Sequence, residues 1–361
     1  MALQPSVTNR QSLTHKPIQI ASQTLSTLVH FATLAPSGHN TQPWKFAIGE
    51  NTIRLYPDFS RRLPVVDPDD HALYISLGCA LENLLIAARH YGLEADVSLF
   101  PDSDNANPDS NCIVVHLTQT TPNPLLEKPG DARFEAIPKR QTTRCAYDGC
   151  PLPADDLTHL ARAAEQPGIQ SRVMTTAQDI ERMVDFVEAG NRLQFRDVDF
   201  VKELVSWIRF NHGEVVNRHD GMTAAMMGLP RLNIPRWLGQ SILKMMATPN
   251  AQAKQFAALT RSSPALMLFI AEKNDKTHWV NLGRSFERVA LTATVLDIKH
   301  AHVNMPCEVL SVRSELKQQL RLAEAAQPLL LIRLGYSEPM PYSPRRPLRQ
   351  VLKSMESRDN N

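Results

Sequence analysis

Three polar clusters in this chain carry side chains suited to holding a charged small molecule. The first, "LAPSGHNTQPWKF" (34–46), packs Pro36, Ser37, Gly38, His39, Asn40, Thr41, Gln42 and Pro43 into eight consecutive positions between apolar flanks. A surface turn draws on some of these residue types, but seldom sets so many hydrogen-bonding side chains beside a Trp. In the second, "KRQTTRCAYDG" (139–149), Arg140 and Arg144 flank Gln141, Thr142 and Thr143. The third is "YSPRRPL" (342–348), with Arg345 and Arg346. Forked guanidinium donors beside a short hydroxyl make a phosphate cradle; the competing reading of each arginine is surface solvation or salt bridging. No nucleophile–base triad, carboxylate pair or zinc-type Cys/His spacing accompanies them, so neither catalytic side chains nor metal ligands are expected.

The surrounding elements repeat. Residues 20–35 read as an amphipathic helix with Leu25, Leu28, Phe31, Ala32 and Leu34 near one face. "WKFAIGENTIRLYP" reads as two strands joined by a turn at "GEN". Residues 70–97 read as a long buried helix stopped by Gly92, 112–118 as a strand, and 120–130 as a linker rich in Pro, Thr and Asn. The second half replays this order. The helix at 153–168 answers 21–38 at an offset of 132, and "NLGRSFERVALTATVLDI" (281–298) answers "SLGCALENLLIAARHYGL" (76–93) at an offset of 205. "PLLLIRLGY" (328–336) answers the strand at 112–118. A duplicated unit explains this most simply, although Leu/Ala helices also resemble one another by chance. The offsets differ by 73, so the second copy carries about 70 extra residues within 170–265. That stretch holds an amphipathic helix at 199–211 and a Met-rich, Pro-broken segment at 220–246. It is either a cover over a site or extra packing. In the first case, Trp237, among Leu232, Ile234 and Leu238, is expected to anchor it in an apolar pocket, with Asp220, Gly221 and Met222 in the cover.

Composition narrows the class. With 361 residues, 43% hydrophobic and 21% charged, the chain has material for a sizeable core, and its formal net charge of +2 offers no electrostatic footprint for nucleic acid. The five cysteines are odd in number and read as free thiols in a reducing compartment. The first 18 residues lack a signal-peptide apolar core, and apolar runs such as "PALMLFIA" (264–271) are too short to span a bilayer. A cytoplasmic protein with no membrane partner is the expectation.

"APSGHNTQPWKF" resembles the flavin loop of the nitroreductase-like flavoproteins, A-P-S-x-x-N-x-Q-P-W. "KRQTTRCAYDGCPLPADDLTHLARAA" is similar to that family's opening R-x-S-x-R and helix, and "LLLIRLGYSEPMPYSPRRPL" to its closing strand and phosphate-binding arginine. The family carries the first two motifs in one unit. Here the first half has the loop without R-x-S-x-R, and the second has Arg140–Arg144 without the loop, since "EQPGIQSRV" (165–173) replaces it. This split resembles the fused, single-chain subgroup of dormancy-associated nitroreductase homologues, the Acg-like proteins.

The resemblance implies an α+β, nitroreductase-like fold of two fused copies forming an intramolecular pseudo-dimer, hence a monomer. It implies a polar tail (1–18), a first half (19–130) with the flavin-ring loop, a second half (131–350) with the phosphate site and a lid-like insertion at about 185–255, and a tail (351–361). It places Arg140, Gln141, Thr142 and Arg144 on the phosphate and ribityl chain of one FMN, with Arg345, or its rival Arg346, completing the phosphate site. Pro36, Ser37, Asn40 and Gln42 border the ring and Trp44 packs under the loop; His39 meets the ring, the insertion or solvent. The implied activity is reduction of nitro compounds or quinones, small-molecule electron acceptors, by NAD(P)H. No GxGxxG is present, which suits a nicotinamide that visits an open flavin face. The alternatives are an FMN-sequestering protein whose insertion covers the ring, and an interaction scaffold without flavin.

Overall fold

A computed structural model describes residues 19–101, 111–120, 131–230 and 233–353; the tails at 1–18 and 354–361, most of the 120–130 linker, and Leu232 lie outside them. The first unit opens with helix α1 (Ser22–Thr33), which buries Leu25, Leu28, Val29 and Ala32. Strands β1 (Trp44–Gly49) and β2 (Thr52–Pro57) follow as an antiparallel hairpin turning at Glu50-Asn51, as its sequence predicts. Helix α2 (His71–His90) is buried along nearly its whole length. Its length and hydropathy would suit a bilayer span, yet it is the core helix of this unit. The helix expected over 70–97 ends at His90, with Gly92 at φ 72°, and the chain enters strand β3 (Leu93–Leu99). The alternation in "LEADVSL" is the signal for that strand. Strand β4 (Ile113–Gln119) completes a sheet of order β1-β2-β4-β3, antiparallel throughout.

The second unit repeats this topology. After a short helix α3 (Ala132–Ala136) come α4 (Ala154–Ala163) and β5 (Ile169–Met174). Between β5 and its neighbour β8 (Ala265–Ala271), where the first unit has a tight turn, the chain makes five helices: α5 (Ala177–Arg196), α6 (Val198–Ser206), α7 (His212–Arg218), α8 (Arg236–Met246) and α9 (Pro249–Arg261). Two short parallel strands, β6 (Ile208–Arg209) and β7 (Met222–Thr223), lie among them. Helix α10 (Lys276–Val295), strand β9 (Lys299–His302), helices α11 (Met305–Glu308) and α12 (Leu310–Gln319), and strand β10 (Gln327–Gly335) follow. The sheet order is β5-β8-β10-β9: first, second, fourth and third strands in chain order, as in the first sheet. The run "ALMLFIA" is continuously apolar because β8 is buried on both faces. Met267 and Phe269 join the central core, while Leu266, Leu268 and Ile270 pack under α5 and α9.

The units meet through α2 and α10. A Cβ on Gly78 would lie 2.1 Å from the Val280 carbonyl oxygen, and one on Gly283 2.0 Å from that of Ile75. Gly78 and Gly283, and Ile75 and Val280, are related by the sequence offset of 205, so each helix presents the same small residue to the same point on its partner. This is the self-complementary contact of a two-fold interface, made here within one chain.

The insertion serves two ends. Helices α5 and α9 are packing, covering the outer face of the second sheet. The part from α6 to α8 has a small core of its own, Val205, Ile208, Phe210, Met222 and Met226. It docks on the first unit through Phe200 against Leu63 and Val66, and through Glu203, which accepts from the Val65 and Val66 N–H groups at 3.0 Å. Trp237 does not anchor this docking: it is 68% exposed. Gly239 lies against the Phe210 ring, where a Cβ would come within 2.1 Å, and this rotation of α8 carries Trp237 to the outer face.

Candidate functional site

Four segments converge at the loop 34–43. The loop follows the last turn of α1, and its backbone holds three non-glycine residues at positive φ: His39 (48°), Asn40 (55°) and Gln42 (54°). Such conformations cost roughly 1–2 kcal/mol each and cluster where a site over-determines the backbone. The Ser37 hydroxyl accepts from the Gln42 N–H at 2.9 Å, closing the loop on itself. Pro36 is half-buried, and Trp44 is fully buried beneath, as expected.

Asn40 and Gln42 spend their side chains on other segments. Asn40 Nδ2 donates to the Gly221 carbonyl at 3.0 Å and to that of Pro344 at 3.1 Å, and Oδ1 accepts from Arg345 at 2.9 Å. Gln42 Nε2 donates to the His219 carbonyl at 2.9 Å, and Oε1 accepts from the Arg346 N–H at 2.8 Å. The insertion is thereby fastened directly over the loop, with the Gly221 N–H returning a bond to the Asn40 carbonyl at 3.2 Å. Asp220, 6% exposed, adds ion pairs to Arg61 of the first unit and to Arg209 of the insertion.

The arginines arrive on two segments that cross between the units. Arg140 and Arg345 both donate to the Leu34 carbonyl, at 3.2 and 3.1 Å, at the C-terminal end of α1, where the helix dipole favours cations. Arg144 donates to the Met226 carbonyl of the insertion at 3.3 Å. Arg333, 1% exposed on β10, donates to the Cys145 carbonyl at 2.8 Å and lies over the Tyr147 ring at 4.1 Å. Among the described residues, the carboxylate facing this cluster is Glu287 of α10, 3.3 Å from Arg140. Burial lowers the Arg144 and Arg345 pKa values to about 10 and about 9, with Arg333 and Arg140 respectively adding repulsion. Arg346 lies apart: it holds the Gln42 and Gln350 carbonyls and faces Asp58 at 3.8 Å, so Arg345 is the one that joins the cluster. Gln141 Oε1 accepts from the Met340 N–H, and Thr142 bridges to His300 on β9.

Three histidines complete the surroundings. Burial, reinforced by Arg144, takes His39 down to about 4 and His302 to about 3; His300 also falls well below its usual value, chiefly by burial. All three are therefore neutral. Buried polar atoms without a hydrogen-bond partner gather here: His39 Nδ1, His300 Nε2, Thr143 Oγ1, Arg345 Nε, Arg333 Nη1 and both Glu287 oxygens. A cluster of guanidiniums with unspent donors is what an anion site requires. The sequence reading missed His300, His302, Arg333 and Glu287. "KHAH" places two histidines on one face of a strand, and Glu287 stands in the apolar face of a buried helix; both were legible signals.

Two units of one topology, joined back to back through α2 and α10, with a polar loop from one and arginines from the other, define a double-length, nitroreductase-like protein. Over most of its length the chain is similar to Acg-like proteins. It is 27% identical over 338 residues to a Mycobacterium tuberculosis protein that carries the provisional name NAD(P)H nitroreductase, covering 92% of this chain and 91% of that one. It is 23% identical over 340 residues to Acg of the same organism, provisionally named likewise, covering 92% and 96%. Among solved structures, the FMN-dependent nitroreductase from Mycobacterium smegmatis in complex with NADPH aligns over 57% of this chain and 88% of its own, at 15% identity and a TM-score of 0.37. No family model matches the chain.

Proposed function

We propose that the chain binds one FMN in a site built from both units and passes electrons from NAD(P)H to a small acceptor such as a nitro compound or quinone. The observation that carries this reading is the arginine cluster, Arg140, Arg144, Arg333 and Arg345, with unpartnered donors on Arg140, Arg333 and Arg345 and with Glu287 beside Arg140. Arg144 and Arg345 take the phosphate, with Arg140 behind them; Gln141 and Thr142 face the ribityl chain, and Pro36 and Ser37 border the ring. Asn40 and Gln42 act at one remove, holding the loop between the insertion and the C-terminal segment. FMN, when bound, supplies the redox chemistry; the protein supplies position, charge and access. The neutral histidines add donors near the cluster without adding charge.

Because the units already bury the two-fold face between α2 and α10, the chain acts as a monomer, which light scattering after size exclusion checks. Acid-released flavin measured against protein should approach one per chain; a saturated value near two would refute the split site. A second reading rests on the bonds from Asn40 and Gln42 to the insertion: the insertion covers the ring, and the protein stores FMN. Anaerobic mixing with NAD(P)H separates the two, since a storage protein keeps its flavin oxidised.

A further inference from the structure

The two-fold relation duplicates one buried carboxylate with unequal results. Glu82 on α2 and Glu287 on α10 are related by the offset of 205. Glu82 is 2% exposed and well paired, with Arg284 at 3.0 Å, Arg288 at 3.3 Å and Arg89 at 4.0 Å. Glu287 is fully buried and has one ion pair among the described residues, to Arg140 at 3.3 Å, with the Asn83 amide as its other polar neighbour. Arg140 also serves the Leu34 carbonyl, so it is shared between Glu287 and the loop. The groups facing Glu287 are Arg140 and Arg345 from the crossing segments, and Cys79, Glu82 and Asn83 from α2.

We propose that Glu287 is the proton-linked counter-ion of the arginine site, balancing Arg140 and Arg345 in the anion-free protein and taking one proton from solvent when a phosphate dianion binds. The inference rests on reading the cluster as a phosphate site. A dianion held by Arg144 and Arg345 draws on Arg345, one of the two guanidiniums that balance Glu287, and repels the carboxylate. Two negative groups sharing a buried site do not both stay ionised, and one takes a proton. The second pKa of a phosphate monoester is about 6, so at pH 8 the phosphate stays dianionic and the carboxylate protonates. One O–H bond forms at Glu287, the proton comes from the buffer, and nothing else changes. Burial already raises Glu287 to about 7, against the pull of Arg140, so the protonated form is close at hand. Glu287 is a positioning residue: it keeps Arg140 placed without neutralising the site once ligand arrives.

The test titrates FMN into the flavin-free full chain by calorimetry at pH 8, in buffers of different ionisation enthalpy. The wild type should take up about one proton per FMN, and its dissociation constant should rise about tenfold between pH 7.5 and 8.5. Glu287→Gln should take up none, bind more tightly than wild type at pH 8.5, and show a flat profile. Glu82→Gln, at the related position, should keep the uptake. Infrared difference spectra of the wild type on FMN addition should show a protonated carboxyl appear, a readout that does not depend on any variant folding. FMN binding to the wild type without proton uptake, or uptake retained in Glu287→Gln, overturns the proposal. Failure of the wild type to bind FMN at all overturns instead the phosphate reading beneath it.

Discussion

Arg61→Met tests whether the insertion is fastened over the loop as a separable unit. Arg61 belongs to the first unit; it pairs with Asp220 and donates to the Thr41 carbonyl. Asp220 also receives two bonds from Arg209, at 3.0 and 2.6 Å, and this pair lies wholly within the insertion. Methionine keeps most of the aliphatic stem; it removes the ion pair to Asp220 and the guanidinium's contact with the Trp207 ring across the joint, together with the bond to Thr41 inside the first unit. A hydrogen bond to a charged partner contributes about 1.5–3 kcal/mol. The Arg61 side chain is 17% exposed, so solvent recovers part of that. We therefore expect the joint to weaken by about 1–2 kcal/mol, which opens it about 5–30 times more often. Amide exchange resolved by residue reads this directly. The Gly221 N–H bonds to the Asn40 carbonyl across the joint, whereas the Met222 N–H bonds to the Trp207 carbonyl inside the insertion. Gly221 should exchange 5–30 times faster and Met222 much less so. Equal acceleration of both would mean that the insertion unfolds instead of lifting, and no change in either would remove Arg61 from the fastening. If the insertion controls access to a bound flavin, anaerobic reduction by NAD(P)H should quicken by a similar factor.

Arg144→Ala should weaken FMN binding at least tenfold, from the loss of a charge-assisted contact of about 1.5–3 kcal/mol, while Trp44→Phe, beneath the loop, should weaken it less; fluorescence titration compares them. Gly283→Ala should destabilise the fold by about 1–3 kcal/mol in urea unfolding despite the better helix propensity of alanine, because its Cβ would meet the Ile75 carbonyl. Gly78→Ala should cost about as much, and the double variant less than the sum, since both act at one crossing. His71 is fully buried, and its contacts with Asp67 and Asp69 outweigh the burial that opposes its charge, raising it to about 9. Its folded pKa exceeds the unfolded value, so this contribution is complete below about pH 6.5 and lost as pH rises through 9. Unfolding free energies from urea titrations should fall over that window by about 3 kcal/mol, and His71→Gln should flatten the fall.

Much of the architecture was legible in the residues because it is encoded locally. The "GEN" turn set the β1–β2 hairpin, and the spacing of Leu, Gly and Glu in two helices carried the offset of 205 that reappears as the two-fold contact of Gly78 with Gly283. The loop 34–46 and the Arg140–Arg144 run were recognisable because each lies within a dozen residues, where side-chain chemistry and turn preference act without help from the rest of the chain. Which of Arg345 and Arg346 joins the cluster was open in the sequence, since neighbours in an extended segment point apart and only the packed partner selects one. Asn40 and Gln42 carry the identities a ring edge would want, yet their bonds go to the Arg345 guanidinium and to backbone from residues 219–221 and 344–346, far along the chain. Trp237 has the character of an anchor, but Gly239 against Phe210 turned its helix the other way. Glu287 became a buried, under-paired carboxylate only when α10 met α2 and the Arg140 segment crossed over it. The cost of burying a charge depends on what is buried with it, and that company is assembled by tertiary folding alone.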